Sequence, residues 1–135
     1  MIVEKTETID VRAGEDVVKA RQLVRAEAVK IGFSLVDQTK VVTAASEIAR
    51  NTIDYGGGGT MTMDCVRVGA RKGLRLVFAD KGPGIADISR ALEDGYTSGG
   101  GLGLGLSGAK RLSSEFDIQS AVGVGTTITL IRWKL

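Results

Sequence analysis

Glu47 and Asn51 form a pair whose residue types and spacing could do chemistry. They stand four positions apart among apolar residues at helical spacing, so both side chains are predicted to project from one helix face. The side-chain carbonyl of Asn51 suits Mg²⁺, and the carboxylate of Glu47 can accept a proton from an attacking hydroxyl. A solvated polar stripe is the commoner meaning of such a pair, but the apolar neighbours Ala45, Ile48 and Ala49 argue against a broadly charged surface.

A glycine run, GGGLGLGL at residues 99–106, is the second candidate. Glycine amides can approach phosphate oxygens closely, and a helix that follows presents its positive N-terminus. The run is not a Walker A loop, because no glycine in the chain is followed by lysine. Residues 103–108 formally match GxGxxG, but no buried strand precedes them, as a dinucleotide fingerprint requires. A plain surface loop remains the alternative.

The third candidate is Asp80, which ends an apolar segment and is followed by Lys-Gly-Pro-Gly. Its carboxylate can accept a hydrogen bond from an exocyclic amine, while Gly82 and Gly84 let a flat ring pack on the backbone. This arrangement could recognise adenine. An ordinary strand-to-turn aspartate is the alternative.

The composition excludes several classes of function. The 135 residues include no histidine, one cysteine and 4% aromatic residues, and the net charge is +2. Histidine metal sites, histidine general bases and a disulfide framework are therefore excluded. Few aromatic residues and a small net charge disfavour nucleic-acid binding, and no membrane-length apolar stretch or signal-peptide pattern is found. We expect one cytoplasmic domain over residues 1–135, with no nucleic-acid or membrane partner.

Hydrophobic periodicity predicts the elements that must position these residues. Adjacent strands joined by short connections and grouped helices predict an α+β fold, a two-layer α/β sandwich with a mostly antiparallel sheet and helices on one face. Cys65 is predicted to be a small core residue. The predicted strands are 2–11, 60–68, 74–80, 116–122 and 126–133, and the predicted helices are 15–31, a second one capped by Asp37 and reaching residue 53, 87–93 and 104–115.

Four segments together resemble the GHKL ATPase family, which includes gyrase B, Hsp90, sensor histidine kinases and MutL. In chain order they are Glu47-xxx-Asn51, Asp80-x-Gly-x-Gly84, the glycine run, and Gly125-Thr-Thr127. The resemblance covers essentially the whole chain and implies the Bergerat fold. The amino-acid sequence of residues 47–51 and 93–112 is similar to that of the small serine/threonine kinases of bacterial partner-switching systems, in particular the stressosome switch kinases.

The resemblance implies ATP and Mg²⁺ as cofactors and a role for each matching residue. Glu47 would act on the substrate hydroxyl, Asn51 would hold Mg²⁺, and Asp80 would recognise adenine. Gly82, Gly84 and Ile85 would shape the adenine pocket, which Thr126 or Thr127 would complete through water. A lid from Tyr96 to Gly105 would cover the phosphates. The predicted nucleotide-binding residues of this region are Thr97, Ser98, Gly99, Gly100, Gly101, Leu102, Gly103, Leu104, Gly105 and Leu106.

The implied substrate is a serine or threonine on a STAS-domain scaffold or antagonist protein, and the resemblance also implies activation of a PP2C-type phosphatase. The first alternative is an anti-sigma factor kinase that binds a sigma factor and phosphorylates its STAS-domain antagonist. Such kinases usually carry a histidine shortly after the asparagine, where this chain has Asp54-Tyr55, which favours the switch kinase. A nucleotide-sensing binding module and a detached histidine-kinase domain remain open.

Overall fold

A five-stranded antiparallel sheet with two long helices packed on one face forms the protein. The structure is a computed structural model and describes residues 1–93 and 105–134. The sheet order is β1-β2-β3-β5-β4, which confirms the predicted α+β class. Among the described residues, no helix combines the length and apolarity needed to cross a membrane. The elements are β1 Ile2–Val11, α1 Gly14–Ile31, α2 Leu35–Asp54, β2 Gly59–Val68, β3 Arg71–Asp80, α3 Ile88–Ala91, α4 Leu106–Arg111, β4 Glu115–Ala121 and β5 Gly125–Trp133.

The core lies between the sheet and the helices. Every second residue of β2 and β3 faces the helices, as the alternation of apolar residues predicts. Met61, Met63 and Phe78 are almost fully buried there and pack in one cluster with Ile48 of α2. Burial of each such side chain stabilises the fold by roughly 1.5–3 kcal/mol. Cys65 belongs to the same cluster, as predicted.

The second helix begins earlier than the sequence indicated. Asp37 is not its cap: the hydroxyl of Ser34 accepts a hydrogen bond from the Asp37 amide at 3.1 Å, and the helix starts at Leu35. Ser34 and Asp37 are both good capping residues, and the local pattern does not choose between them. The Asp37 carboxylate is instead used in a contact with β5.

Two other boundaries differ from the predicted ones by three residues or more. Strand β3 starts at Arg71 instead of residue 74, because the polar residues Arg71 and Lys72 continue the hairpin pairing. Helix α4 ends at Arg111 instead of residue 115, because Glu115 already pairs with β5. In addition, the indole N–H of Trp133 donates to Glu115 Oε2 at 2.6 Å.

A buried ion pair ties the start of α2 to the last strand. Arg132 Nη2 of β5 donates to Asp37 Oδ1 at 2.6 Å, and Arg132 Nη1 donates to the Leu112 carbonyl at 2.9 Å. Both side chains of the pair are only 11–12% exposed. The hydrogen bond from the Arg132 guanidinium lowers the pKa of Asp37, and desolvation raises it. The guanidinium has the larger effect, so the pKa of Asp37 lies below its ordinary value of 3.8.

A second polar cluster lies under the edge strand β1. Glu27 of α1 is 4% exposed, and its carboxylate accepts hydrogen bonds from Lys5 Nζ at 2.5 Å and from Cys65 Sγ at 3.3 Å. Lys30 Nζ lies 3.4 Å away. The Lys5 ammonium lowers the pKa of Glu27, whereas burial, followed by the Glu27 carboxylate, raises the pKa of the Cys65 thiol to about 11. The cysteine is therefore a neutral, unreactive core residue at neutral pH.

The first prediction concerns the Asp37–Arg132 ion pair. Replacing Asp37 by Asn should lower the free energy of unfolding at pH 7 by about 2–4 kcal/mol, because Arg132 keeps its burial and loses its counter-charge. A carboxylate with a lowered folded pKa stabilises the protein above its unfolded pKa, and this stability is lost as the pH falls through the folded value. Denaturant titrations from pH 7 to 2 measure both effects.

Asp117→Asn provides the control, since this aspartate is exposed on β4. We expect it to change stability by less than about 0.5 kcal/mol. Equal losses in the two variants would show that the Asp37–Arg132 pair has no special role.

Candidate functional site

The face of α2 that carries Glu47 and Asn51 is the starting point of the site. Asn51 is 9% exposed, and its side-chain amide forms no hydrogen bond or ion pair with another described residue. Glu47, one turn earlier on the same face, is exposed. The structure therefore confirms that these two side chains share a face and leaves a nearly buried polar group free for a ligand.

The chain leaves α2 through Tyr55 and Gly56, which contact the turn after β3. The Tyr55 hydroxyl donates to the Gly84 carbonyl at 2.8 Å. Gly56 packs directly against the Asp80 carboxylate, and a Cβ on Gly82 would lie 2.6 Å from the Gly56 carbonyl oxygen. No side chain fits at either glycine without movement of the backbone. These contacts bring the helix end bearing Asn51 next to the turn at 80–84.

Asp80 is held in one orientation at the end of β3. Its Oδ1 accepts a hydrogen bond from the Gly82 amide at 2.9 Å, and its Oδ2 faces Gly56. The side chain is neither fully buried nor exposed. One carboxylate oxygen is thus occupied by the turn, and the group has further acceptor capacity for a ligand amine.

A hydroxyl network continues this site across β4 and β5. Ser120 Oγ accepts from the Ile85 amide at 2.7 Å and donates to the Gly125 carbonyl at 3.1 Å. It also lies 2.8 Å from Thr126 Oγ1. Thr126 is 5% exposed and Ile85 is 7% exposed. The network fixes the turn that contains Gly84 onto the strands.

Thr126 and Thr127 lie on opposite faces of the sheet. The register aligns Asp80, Thr126 and Ser120 in one cross-strand row, whose side chains face the helices. The neighbouring row contains Ala79 and Thr127, whose side chains face away from the helices. The structure brings Thr126 together with the other predicted residues and separates Thr127 from them.

The described end of the glycine run lies beside Glu47 of α2. Gly105 has φ +64°, and a Cβ on it would lie 2.5 Å from Glu47 Oε2. Leu106 is buried in the core at 1% exposure. The other predicted residues of this loop lie outside the described residues; they are Tyr96, Thr97, Ser98, Gly99, Gly100, Gly101, Leu102, Gly103 and Leu104.

Three site residues were missed by the sequence reasoning: Tyr55, Gly56 and Ser120. Tyr55 and Gly56 directly follow the predicted helix, and their proximity to Asn51 is a signal that could have found them. Ser120 could have been found from the predicted hairpin, since the turn at Gly123 and Gly125 places it opposite Thr126. Their contacts depend on the tertiary fold and not on residue type alone.

Comparison with known proteins agrees with this geometry. Residues 36–135 match the family model described as histidine kinase-, DNA gyrase B-, and HSP90-like ATPase. The chain belongs to this ATPase family. The match begins at the start of α2 and includes every predicted site residue, so the predicted GHKL membership is confirmed.

Two of the similar proteins come from bacteria. The chain is 48% identical over 118 residues to the serine/threonine-protein kinase RsbT of Bacillus subtilis, which covers 87% of this chain and 89% of the relative. It is 29% identical to an anti-sigma F factor of Clostridium acetobutylicum, over 96% of this chain and 94% of the relative. Both relations match the predicted group of small partner-switching kinases.

The fold is also found in a solved structure. The RsbU and RsbW domains of Rv1364c from Mycobacterium tuberculosis superpose with a TM-score of 0.63 at 22% identity. The alignment covers 97% of this chain and 33% of that chain. At this identity the likeness concerns the fold alone. The chain thus has the fold of the ATPase family and a near full-length relation to a serine/threonine kinase.

The second prediction follows from the tight packing at Gly56. Replacing Gly56 by Ala should push the Asp80 carboxylate out of place, because the new methyl group would occupy its position. We expect affinity for ATP to fall at least about tenfold, which corresponds to about 1.4 kcal/mol. Isothermal titration calorimetry measures the affinity, and thermal unfolding measures the accompanying loss of stability.

Gly14→Ala is the matched control, since a Cβ at Gly14 would meet nothing within 4 Å. Its affinity for ATP should equal that of the unsubstituted protein. Unchanged binding in both variants would remove Gly56 from the site.

Proposed function

We propose that this chain is an ATP-dependent serine/threonine kinase of a bacterial partner-switching system, acting as one domain over residues 1–135. The observation that carries the proposal is that the end of α2, which bears Asn51 with Glu47 one turn earlier, is followed by Gly56, which packs against the Asp80 carboxylate at the end of β3. The Tyr55–Gly84 hydrogen bond and the packing of Gly56 bring these elements together. The near full-length relation to a serine/threonine-protein kinase supports the reaction class.

In this proposal Asp80 recognises adenine. Its carboxylate would accept a hydrogen bond from the exocyclic amine, while Gly82 and Gly84, packed closely against the backbone of Gly56 and Ala121, hold the turn beside it. Thr126 is the threonine that completes this pocket, because it shares a row with Asp80 and Ser120. Ile85, which is buried beside them, would supply an apolar contact.

The phosphates and Mg²⁺ would lie toward Asn51. The nearly buried amide of Asn51, with no partner among the described residues, fits a metal ligand because its carbonyl oxygen is available. Bound Mg²⁺ neutralises phosphate charge during transfer. The loop 97–104 together with Gly105 and the backbone of Leu106 would cover the phosphates.

Glu47 would act on the substrate hydroxyl. It is exposed at the edge of the site, where a side chain from another protein can reach it. A carboxylate so placed can orient the hydroxyl and accept its proton as the hydroxyl oxygen attacks the γ-phosphorus of ATP; the bond from that phosphorus to the bridging oxygen breaks, and ADP leaves. Because phosphoryl transfer depends mainly on positioning and charge neutralisation, little further covalent work falls to the protein.

The substrate we propose is a serine or threonine of a STAS-domain protein in the cytoplasm, within a stressosome-type pathway. A PP2C-type phosphatase is the proposed second partner, bound after release from the first. The test is incubation with labelled ATP and purified STAS proteins. Transfer of label that survives acid supports a serine or threonine product, whereas an acid-labile product would indicate histidine phosphorylation and overturn the proposal.

An anti-sigma factor kinase is the second candidate, favoured by the similarity to the anti-sigma F factor of Clostridium acetobutylicum. This function would require direct binding of a sigma factor. Co-purification with sigma factors from the same organism tests it. A stoichiometric complex would favour this candidate over the switch kinase.

Glu47 makes the third prediction. Glu47→Gln should lower the rate of phosphoryl transfer to a STAS partner by about 10²–10⁴, because the amide cannot accept the proton. ATP affinity should stay within about twofold, since Glu47 is not part of the adenine pocket. Rates of label transfer and calorimetry separate the two effects. Asp54→Asn, a change on the last turn of the same helix, is the control and should keep full activity.

Asp80 makes the fourth prediction. Asp80→Asn keeps an acceptor for the Gly82 amide but places an N–H₂ group where the adenine amine should bind. We expect ATP affinity to fall about 10- to 150-fold, as for a lost hydrogen bond to a charged group. Calorimetry with ATP measures this loss, and GTP provides a comparison. Equal affinity for ATP in the variant and the unsubstituted protein would place adenine elsewhere.

A further inference from the structure

A cavity lies on the face of the sheet that the helices do not cover. Four cross-strand neighbours, one from each of β2, β3, β5 and β4, form its floor: Thr60, Ala79, Thr127 and Gln119. Strand spacing makes this floor about 14 Å wide. The adjacent row, with Asp80 and Thr126, also lines the cavity, but its side chains lie on the opposite face. The cavity is therefore back to back with the candidate nucleotide site.

The size and walls of this cavity suit a small molecule. Its volume is about 670 Å³, within the range typical of ligand pockets. Ala121 and Val124 form an apolar side at the β4–β5 turn, and glycine backbone at 58 and 59 forms the other side. Val124 is 69% exposed, so this apolar surface is open to a ligand.

The charge of the lining residues is positive. Arg12 and Lys81 both line the cavity and are exposed. Lys81 forms no hydrogen bond or ion pair with another described residue, and Arg12 Nε has only Asp10 at 3.9 Å. Asp80 contributes backbone to the wall, but its carboxylate is held on the other face by the Gly82 amide. The lining therefore contains two cations, Arg12 and Lys81, and one carboxylate, that of Asp80, which lies toward the opposite face of the sheet.

We propose that this cavity binds a small organic anion, a carboxylate or phosphate ester with an apolar body. The anionic group contacts Lys81 and Arg12, and the apolar body lies against Ala79, Ala121 and Val124. The floor residues Thr60, Thr127 and Gln119 add hydrogen-bonding groups. This site does not depend on the kinase function, because it uses the opposite face of the sheet.

The fifth prediction uses anilinonaphthalene sulfonate as the probe, which has an apolar body and one anionic group. We expect saturable binding of one probe per chain in a fluorescence titration of the folded protein. Lys81→Gln and Arg12→Gln should each weaken binding about 5- to 10-fold, as expected for loss of a charged contact. Lys72→Gln removes an exposed cation of β3 at the far end of that strand and should change nothing.

Two substitutions, one in the cavity and one in the candidate nucleotide site, locate the probe. Ala79→Leu fills the cavity from the outer row and should weaken binding at least about tenfold, whereas Asn51→Ala changes only the nucleotide site on α2 and should leave probe binding unchanged. The opposite pattern would place the probe in the nucleotide site and overturn the proposal. Anilinonaphthalene without the sulfonate should bind more weakly, and equal binding would overturn the role of the anion. Thermal unfolding of each variant confirms that it is folded.

Discussion

The close approach of backbone to Asp80 is the constraint on which the rest of the site depends. Gly56 touches the Asp80 carboxylate, and Gly82 touches the backbone of Gly56. A methyl group at either position would separate the end of α2 from the end of β3. The helix carrying Glu47 and Asn51 can share a site with Asp80 because these two positions have no side chain. A single carboxylate orientation follows, set by the Gly82 amide.

Helix α2 is fixed at both of its ends, which makes it a rigid support for the chemistry. At its start, Ser34 caps the helix and Asp37 is bound by Arg132 of β5. At its end, Tyr55 is hydrogen-bonded to Gly84. Catalytic geometry depends on sub-ångström placement, and a helix anchored to two different parts of the sheet meets that need better than a loop.

The sheet and the two long helices could be predicted because each has a local periodicity of apolar residues. Phe78 of β3 and Ile48 of α2 belong to these periodic patterns, and both are buried in one core. Asp80 could be proposed from the sequence for a similar reason, since its motif and spacing lie in one short segment. Asp37 was misassigned as a cap because its partner, Arg132, is 95 residues away. The role of Tyr55 likewise depends on a contact 29 residues distant, which no local pattern contains.

The outermost strand has a consequence for how this protein meets others. Strand β1 is an edge, and it has a register irregularity between Val3 and Lys5. Lys5 turns its ammonium under the sheet to Glu27, so a neighbouring strand that paired there would have to accommodate this charge and the bulge. Such features discourage edge-to-edge aggregation. A second copy of the chain is thereby hindered from pairing along β1, and contacts at this edge are directed to side-chain surfaces.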